Sequence, residues 1–141
     1  MRVDDPREWI PHRPPILAVD AVDVAEPGVR GVGTRLFTAA EPLLAGHFPG
    51  RPVVPGVALI EGMAQTAAIV LLAKEGRGGG GFLADVSKFR FRRPLIPPVT
   101  VTFEVEVLGV FGGLCKIRGV ARSGDGIAAE GEIVISAEGR A

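Results

Sequence analysis

One long apolar run constrains the fold of this chain more than any other feature. Residues 52–73 contain a single charged side chain, Glu61. Pro55 precedes the run in a position suited to the first turn of a helix, and Gly76 follows it as a candidate left-handed cap. A helix that is apolar on nearly every side is usually buried on every side. The run therefore predicts one long, buried helix with its interior at residues 57–73. Because one sheet face cannot cover such a helix, we expect a second subunit to supply the rest in a two-fold arrangement.

Alternating apolar and polar residues flank this run and predict strands. The clearest pattern is Thr100–Val107, where Val101, Phe103 and Val105 would face inward. The other predicted strands cover residues 16–24, 29–37, 82–92, 114–122 and 128–136. Two strands, one helix and four strands indicate an α+β fold in which one antiparallel sheet wraps around the helix. The glycine cluster at residues 76–81 has no strand before it and no helix after it, so it indicates a connector rather than a phosphate-binding loop.

Length and composition exclude several classes of protein. The 141 residues fit a single domain over residues 1–141, and 16 basic residues balance 16 acidic ones, which argues against nucleic acid or an anionic membrane as partner. A lone cysteine fits a reducing compartment, and two distant histidines without a cysteine pair argue against a metal site. The first residues lack the apolar segment of a secretory signal. Glu61 at mid-depth argues against a membrane span, and the composition is compatible with a cytoplasmic protein.

Two ionisable side chains stand close to the helix start. His47 lies in a proline-rich loop, and Glu61 follows fourteen residues later inside the helix. A lone loop histidine often only bonds a carbonyl, and a helix glutamate often pairs with arginine or lies at an interface. Apolar surroundings favour the protonated carboxyl, and Gln65 one turn later can bond it. Together these side chains indicate general acid–base chemistry.

The start of the helix supplies a third chemical element. Backbone N–H groups at a helix N-terminus stabilise developing negative charge, and Gly56 leaves room for a substrate to approach them. A base, an acid and an anion-stabilising helix end suit proton removal next to a carbonyl, followed by loss of a β-leaving group. The residues therefore predict a dehydration.

At these positions the chain resembles the FabZ-type 3-hydroxyacyl-[acyl-carrier-protein] dehydratases. The resemblance covers roughly residues 9–136. Its motifs are Ile10-Pro11-His12-Arg13, Gly46-His47-Phe48-Pro49-Gly50-Arg51-Pro52, Pro55-Gly56-Val57, Glu61-Gly62-Met63-Ala64-Gln65 and Phe89-Arg90-Phe91-Arg92-Arg93-Pro94. It implies the hot-dog fold, a homodimer whose two sheets join, and a trimer of dimers as a further assembly. It implies no cofactor beyond the phosphopantetheine arm of acyl carrier protein, which brings the substrate.

The resemblance also assigns roles to individual residues. His47 of one protomer would remove the C2 proton, and Glu61 of the other would protonate the departing C3 hydroxyl. The amide of Gly56 would bind the thioester carbonyl, and Gln65 would steady the acid. Val57 and Phe48 would complete the substrate site. Four cations would form the docking patch for the carrier protein, although they also fit a plain solvated strand face: Lys88, Arg90, Arg92 and Arg93.

The chain departs from the family pattern at Pro14, at Gly62 and at Pro97-Pro98-Val99. These positions bear on the tunnel mouth and acyl length, so fatty acid and polyketide-type synthesis both stay open. Two alternatives also remain. A hot-dog acyl thioesterase would activate water with a carboxylate and would not need His47. A dehydratase-like partner subunit would bind acyl carriers without catalysis.

Overall fold

A seven-stranded antiparallel sheet packs around one long helix in this protein, whose computed structural model describes residues 1–76, 81–124 and 126–137. The strands are β1 (Arg2–Val3), β2 (Ala21–Glu26), β3 (Arg30–Phe37), β4 (Gly81–Phe91), β5 (Val99–Phe111), β6 (Leu114–Ser123) and β7 (Gly126–Ala137). The helices are a 3-10 turn at Pro6–Glu8, α1 (Pro42–Ala45) and α2 (Gly56–Glu75). The sheet order is β1-β2-β3-β5-β6-β7-β4. This arrangement confirms the predicted α+β class and hot-dog fold.

Small residues bring α2 very close to the sheet. A Cβ atom placed on Gly62 would lie 2.1 Å from Cζ of Phe103 on β5, and one on Gly33 of β3 would lie 2.1 Å from the Thr66 hydroxyl. Phe103 and Thr66 are themselves fully buried. Contacts this short leave no space for a side chain, so the glycines set the distance between helix and sheet. Strand β3 lies where it was predicted, and Gly33 within it has a packing role.

The opposite side of α2 is only partly covered. Val57 is 66% exposed, while Ile60, Glu61 and Ala64 are half-buried. The helix is therefore not buried all round within the single chain, because the sheet covers one side only, and its cover by a second subunit stays a prediction. By length and composition α2 would also suit a membrane span, with mean hydropathy 1.7, yet half of that window is buried, as in many core helices.

The N-terminal third differs from the sequence-based expectation. The strand predicted from residue 16 begins at Ala21 instead, because the backbone of Ile16 and Ala18 bonds the side chain of Gln65 rather than a neighbouring strand. The short strand β1, which pairs with β2, was not predicted. One turn of helix, α1, interrupts the predicted loop, with Pro42 in its first turn, where proline is tolerated.

The other boundaries agree with the predictions within a few residues. Gly76 adopts the left-handed conformation expected of the α2 cap, with φ of 77°. Pro55 is the N-cap residue rather than part of the first turn. The glycine connector at residues 77–80 and the turn residue Asp125 lie outside the described residues.

Strand β4 forms one edge of the sheet, beside β7. It has 11 residues and is exposed along most of its length. Phe82, Leu83 and Val86 expose 65%, 42% and 41% of their surface. Long apolar edge strands are templates for pairing with another chain. Strand β4 is therefore the longer of the two edge strands, β1 and β4.

Candidate functional site

A tight turn holds the imidazole of His47. Phe48 and Arg51 exchange two backbone hydrogen bonds, and Gly50 between them adopts φ of 77°. The carbonyl of His47 accepts a 2.7 Å bond from the backbone N–H of Val53. Nδ1 of His47 lies 3.0 Å from the Val53 carbonyl oxygen, so Val53 fixes both the backbone and the ring.

This contact assigns the tautomer of His47. A carbonyl oxygen only accepts hydrogen bonds, so the neutral ring must carry its proton on Nδ1. Nε2 then keeps a free lone pair and can act as a base. The ring of Phe48 stacks on the imidazole at 4.3 Å between centroids and is itself 57% exposed.

Gln65 fixes the carboxylate of Glu61. Its Nε2 donates to Oε2 of Glu61 at 2.5 Å and to the Ile16 carbonyl at 2.9 Å, while its Oε1 accepts from the Ala18 amide at 2.7 Å. The Ala18 N–H requires an acceptor, so the amide cannot flip, and Nε2 must face Glu61. Gln65 is 1% exposed. The predicted i+4 contact between Glu61 and Gln65 is therefore present.

Glu61 lies on the wall of an apolar cavity of about 370 Å³. Val57 and Ile60 contribute from the same helix, and Leu83 and Val86 contribute from the edge strand β4. Arg35 and Glu41 are also in the wall, where they pair with each other. A carboxyl group on a mostly apolar wall suits an acyl chain whose reacting carbon lies beside Glu61.

Helix α2 begins at Gly56, whose backbone amide is the predicted anion-stabilising group. Its N-cap, Pro55, offers no side-chain hydrogen bond to the first turn. A Cβ atom on Gly56 would lie 2.8 Å from Cε1 of Phe91, so that ring occupies part of the room that glycine provides. Val57, in the first turn of α2, lines the cavity and is 66% exposed.

The structure does not join the two candidate catalytic side chains within one chain. Among the described residues no hydrogen bond or ion pair connects His47 with Glu61, and His47 does not line the cavity. The nearest basic group to Glu61 is instead His12, whose Nε2 lies 3.9 Å from Oε2. Sequence reasoning gave His12 no role, since nothing local indicates contact between residues so far apart in the chain.

The four predicted docking cations are exposed on and just after β4. Lys88 pairs with Glu132 at 3.6 Å, and Arg93 donates to the carbonyls of Ser123 and Gly126. Arg90 has no ion pair among the described residues. Some of these cations therefore already form ion pairs or hydrogen bonds with neighbouring residues, and Arg90 is the one most available to a binding partner.

Two further cations, Lys116 and Arg118 on β6, extend this basic cluster. Arg118 and Arg92 both contact Glu130, at 3.1 and 2.7 Å. The Arg92 hydrogen bond, with Arg118 adding to it, holds the pKa of Glu130 below its usual range. Lys116 and Arg118 were not predicted as patch residues, because their proximity to the other cations depends on how the strands pair.

Within residues 1–76, 81–124 and 126–137, no three His, Cys, Asp or Glu side chains form a group that could hold a metal ion.

Comparisons with known proteins identify relatives over nearly the whole chain. A family model described as a FabA-like domain matches residues 10–138. The chain is 42% identical to the 3-hydroxyacyl-[acyl-carrier-protein] dehydratase FabZ of Roseiflexus sp. (strain RS-1), over 92% of this chain and 93% of that protein. It is 43% identical to the protein of the same name from Pelotomaculum thermopropionicum, over 92% and 94%.

Solved structures share the fold at low sequence identity. The dehydratase heterocomplex ApeI:P from Xenorhabdus doucetiae matches with a TM-score of 0.78 and 14% identity, over 94% of this chain and 90% of that one. A hypothetical thioesterase with coenzyme A from Streptococcus pneumoniae TIGR4 matches with a TM-score of 0.65 and 12% identity, over 87% and 90%. These likenesses concern the fold alone. From the family model and the curated relatives, the chain belongs to the FabZ-type 3-hydroxyacyl-[acyl-carrier-protein] dehydratases.

Proposed function

We propose that this protein dehydrates 3-hydroxyacyl thioesters on acyl carrier protein to trans-2-enoyl thioesters in fatty acid synthesis. The observation that carries the proposal is Glu61, a carboxyl group held by Gln65 on the wall of an apolar cavity. The family supplies the reaction class, and the contacts of Glu61 and His47 support the roles proposed for these two residues. The enzyme is a hydro-lyase and works in the cytoplasm.

His47 acts as the base. Its Nε2 lone pair takes a proton from C2 of the substrate, because Nδ1 is already committed to the Val53 carbonyl. The electron pair of the broken C2–H bond forms the C2–C3 double bond. Holding the ring by a backbone carbonyl keeps Nε2 directed outward from the turn.

Glu61 acts as the acid. Its proton goes to the C3 hydroxyl as the C3–O bond breaks, and water leaves. Gln65 donates to Oε2, which stabilises the carboxylate that remains. His47 gains the C2 proton and Glu61 loses its own proton to the departing water, so His47 must release a proton and Glu61 must take one up before the next turnover. Loss of water causes no net oxidation or reduction of the substrate, so the reaction needs no redox partner. The substrate brings its own phosphopantetheine arm.

The first turn of α2 binds the thioester carbonyl. The amides of Gly56 and Val57 lie at the positive end of a 20-residue helix. Negative charge that develops on the carbonyl oxygen during C2 deprotonation is stabilised there. The side chains of Val57 and Phe48, both exposed in the single chain, would exclude water from the thioester.

A second copy of the chain completes the site. The exposed apolar edge of β4 is suited to antiparallel pairing with the same strand of a partner, which would extend both sheets. Leu83 and Val86 belong both to this edge and to the cavity wall, so dimerisation would close the cavity. The dimer would bring His47 of one protomer toward Glu61 of the other. A trimer of such dimers is a compatible larger assembly.

The carrier protein docks on the basic cluster formed by Lys88, Arg90, Arg92 and Arg93, with Lys116 and Arg118 beside it. Two carboxylates, Glu130 and Glu132, lie among these cations, so the surface keeps an excess of positive charge. Acidic carrier proteins are attracted to such a surface, which raises the association rate and fixes orientation more than it adds affinity.

The test is hydration of a crotonyl thioester, followed by the loss of enoyl absorbance, with the Glu61→Gln and His47→Ala variants alongside. We expect wild-type turnover and a loss of about 10²- to 10⁴-fold in each variant, the usual contribution of an acid or base. Release of free thiol that survives in His47→Ala would instead indicate the thioesterase. A folded wild type without turnover would indicate the non-catalytic partner subunit.

A further inference from the structure

The second histidine of the chain faces the proposed acid. Nε2 of His12 lies 3.9 Å from Oε2 of Glu61, and both side chains are about three-quarters buried, with 25% and 26% exposed. The two residues come from different parts of the chain, so the contact is created by the fold. No step of the proposed reaction uses His12.

The segment that carries His12 is fixed on both sides. Ile10 before it is 2% exposed in the core. The Arg13 guanidinium donates to the carbonyls of Ile10 and His12, at 3.0 and 2.7 Å, and so points to the backbone rather than to the imidazole. Gln65 then holds Ile16 through a 2.9 Å bond. The residue that orients Glu61 therefore also secures the segment that brings His12 beside it.

The surroundings of the imidazole favour one tautomer. Nδ1 of His12 is buried and has no hydrogen-bond partner among the described residues. A buried N–H without an acceptor is costly, whereas Nε2 faces a carboxylate oxygen. The neutral ring therefore carries its proton on Nε2, directed at Oε2 of Glu61.

Oε2 of Glu61 thus meets two donors, Gln65 and His12, while no hydrogen bond to Oε1 is found among the described residues. The 3.9 Å separation is longer than a hydrogen bond, so the contact is electrostatic in this state. Contacts of this kind often shorten in the substrate complex.

We propose that His12 is a positioning residue for the acid: its Nε2–H orients Glu61 through Oε2 and stabilises the carboxylate left when the proton moves to the departing hydroxyl. Oε1 is then the oxygen presented to the substrate. This inference rests on the proposed function. It adds a requirement that the reaction scheme alone does not contain, namely a hydrogen-bond donor at the position of His12 Nε2.

The test compares His12→Leu, which keeps bulk but removes the donor, with His12→Gln, whose amide nitrogen can reach the position of Nε2. Crotonyl thioester hydration gives kcat and KM, and thermal unfolding gives Tm. We expect His12→Leu to lower kcat about tenfold with little change in KM or Tm, and His12→Gln to recover most of the loss. His12→Asn, whose amide is too short, should behave like His12→Leu and replaces it if the leucine variant does not fold.

Two results would overturn the inference. Wild-type kcat in a folded His12→Leu or His12→Asn variant would show that no donor is needed. Equal losses in the asparagine, leucine and glutamine variants would show that the imidazole acts through shape alone. Absence of wild-type turnover would instead be a failure of the proposed function, and the wild-type control in the same assay separates the two.

Discussion

The two sides of α2 differ in how completely the chain covers them. On the sheet side, Met63, Thr66 and Val70 are fully buried, and Gly62 leaves no space beside Phe103. On the other side, Val57 is exposed and the cavity beside Glu61 opens at the edge strand. The closed side fixes where the helix lies. The open side is therefore a preformed surface that a substrate and a second chain can complete.

The largest effect is expected on the closed side. In Gly62→Ala the new methyl group would overlap the ring of Phe103, and the free energy of unfolding should fall by about 3 kcal/mol. The matched change on the open side, Val57→Ala, should alter it by less than about 0.5 kcal/mol, since that side chain is already in solvent. Urea unfolding of both variants measures the contrast. Equal losses of unfolding free energy in the two variants would contradict the proposed difference between the two sides of α2.

The edge strand tests whether a second chain covers the open side. Val86→Lys places a charge on the apolar edge, and we expect the dissociation constant of the dimer to rise about a hundredfold while the protomer stays folded. The control is Leu108→Lys on β5, a residue of similar exposure away from that edge. Sedimentation and circular dichroism give the association state and the fold. Dimers unchanged by Val86→Lys would place the interface elsewhere.

A charge change in the basic cluster should weaken binding of the carrier protein and leave the rate of the chemical step unchanged. Reversing Arg90 to glutamate should raise KM for a carrier-bound substrate about fivefold at low salt and leave turnover of a short free thioester unchanged. Arg30→Glu, a change at an exposed cation on β3, serves as the control. A similar KM increase in both variants would mean that net charge, rather than this patch, attracts the carrier.

The smallest effect concerns the dependence of stability on pH. Arg92 and Arg118 hold the pKa of Glu130 below its ordinary value of 4.5, so the ion pairs stabilise the folded state above that pH and are lost as pH falls through the lowered value. The Tm difference between wild type and Glu130→Gln should therefore be present at neutral pH and shrink in acid. A gap that stays constant down to acid pH would contradict the assignment.

Most of the helices and strands could be predicted from the sequence, but few of the contacts between distant segments could be. Strand β5 was predicted because its side chains alternate strictly, and α2 because its apolar run is long and capped by Gly76. The strand predicted at residues 16–24 is present, but its start was wrong, since the Gln65 side chain bonds the backbone of Ile16 and Ala18 before the strand begins at Ala21. A local pattern cannot show such competition between distant groups.

The candidate site shows the same division. The contact of Glu61 with Gln65 follows from helical spacing and was predicted. The approach of His12 to Glu61 and of Arg118 to Glu130 depends on tertiary packing and strand order, which the sequence does not reveal locally. The half-open face of α2 agrees with the expectation that one sheet face cannot cover so apolar a helix. Cover by a second subunit stays a prediction.

The central claim is that each active site combines His47 of one protomer with Glu61 of the other. The most direct measurement mixes two inactive variants, His47→Ala and Glu61→Gln, under conditions where dimers exchange, and follows crotonyl thioester hydration. Half of the randomly mixed dimers would contain both variants, each with one intact site, so activity should recover to about a quarter of the wild-type value. If native mass spectrometry shows mixed dimers and activity stays absent, both residues must act within one chain, and the account is contradicted.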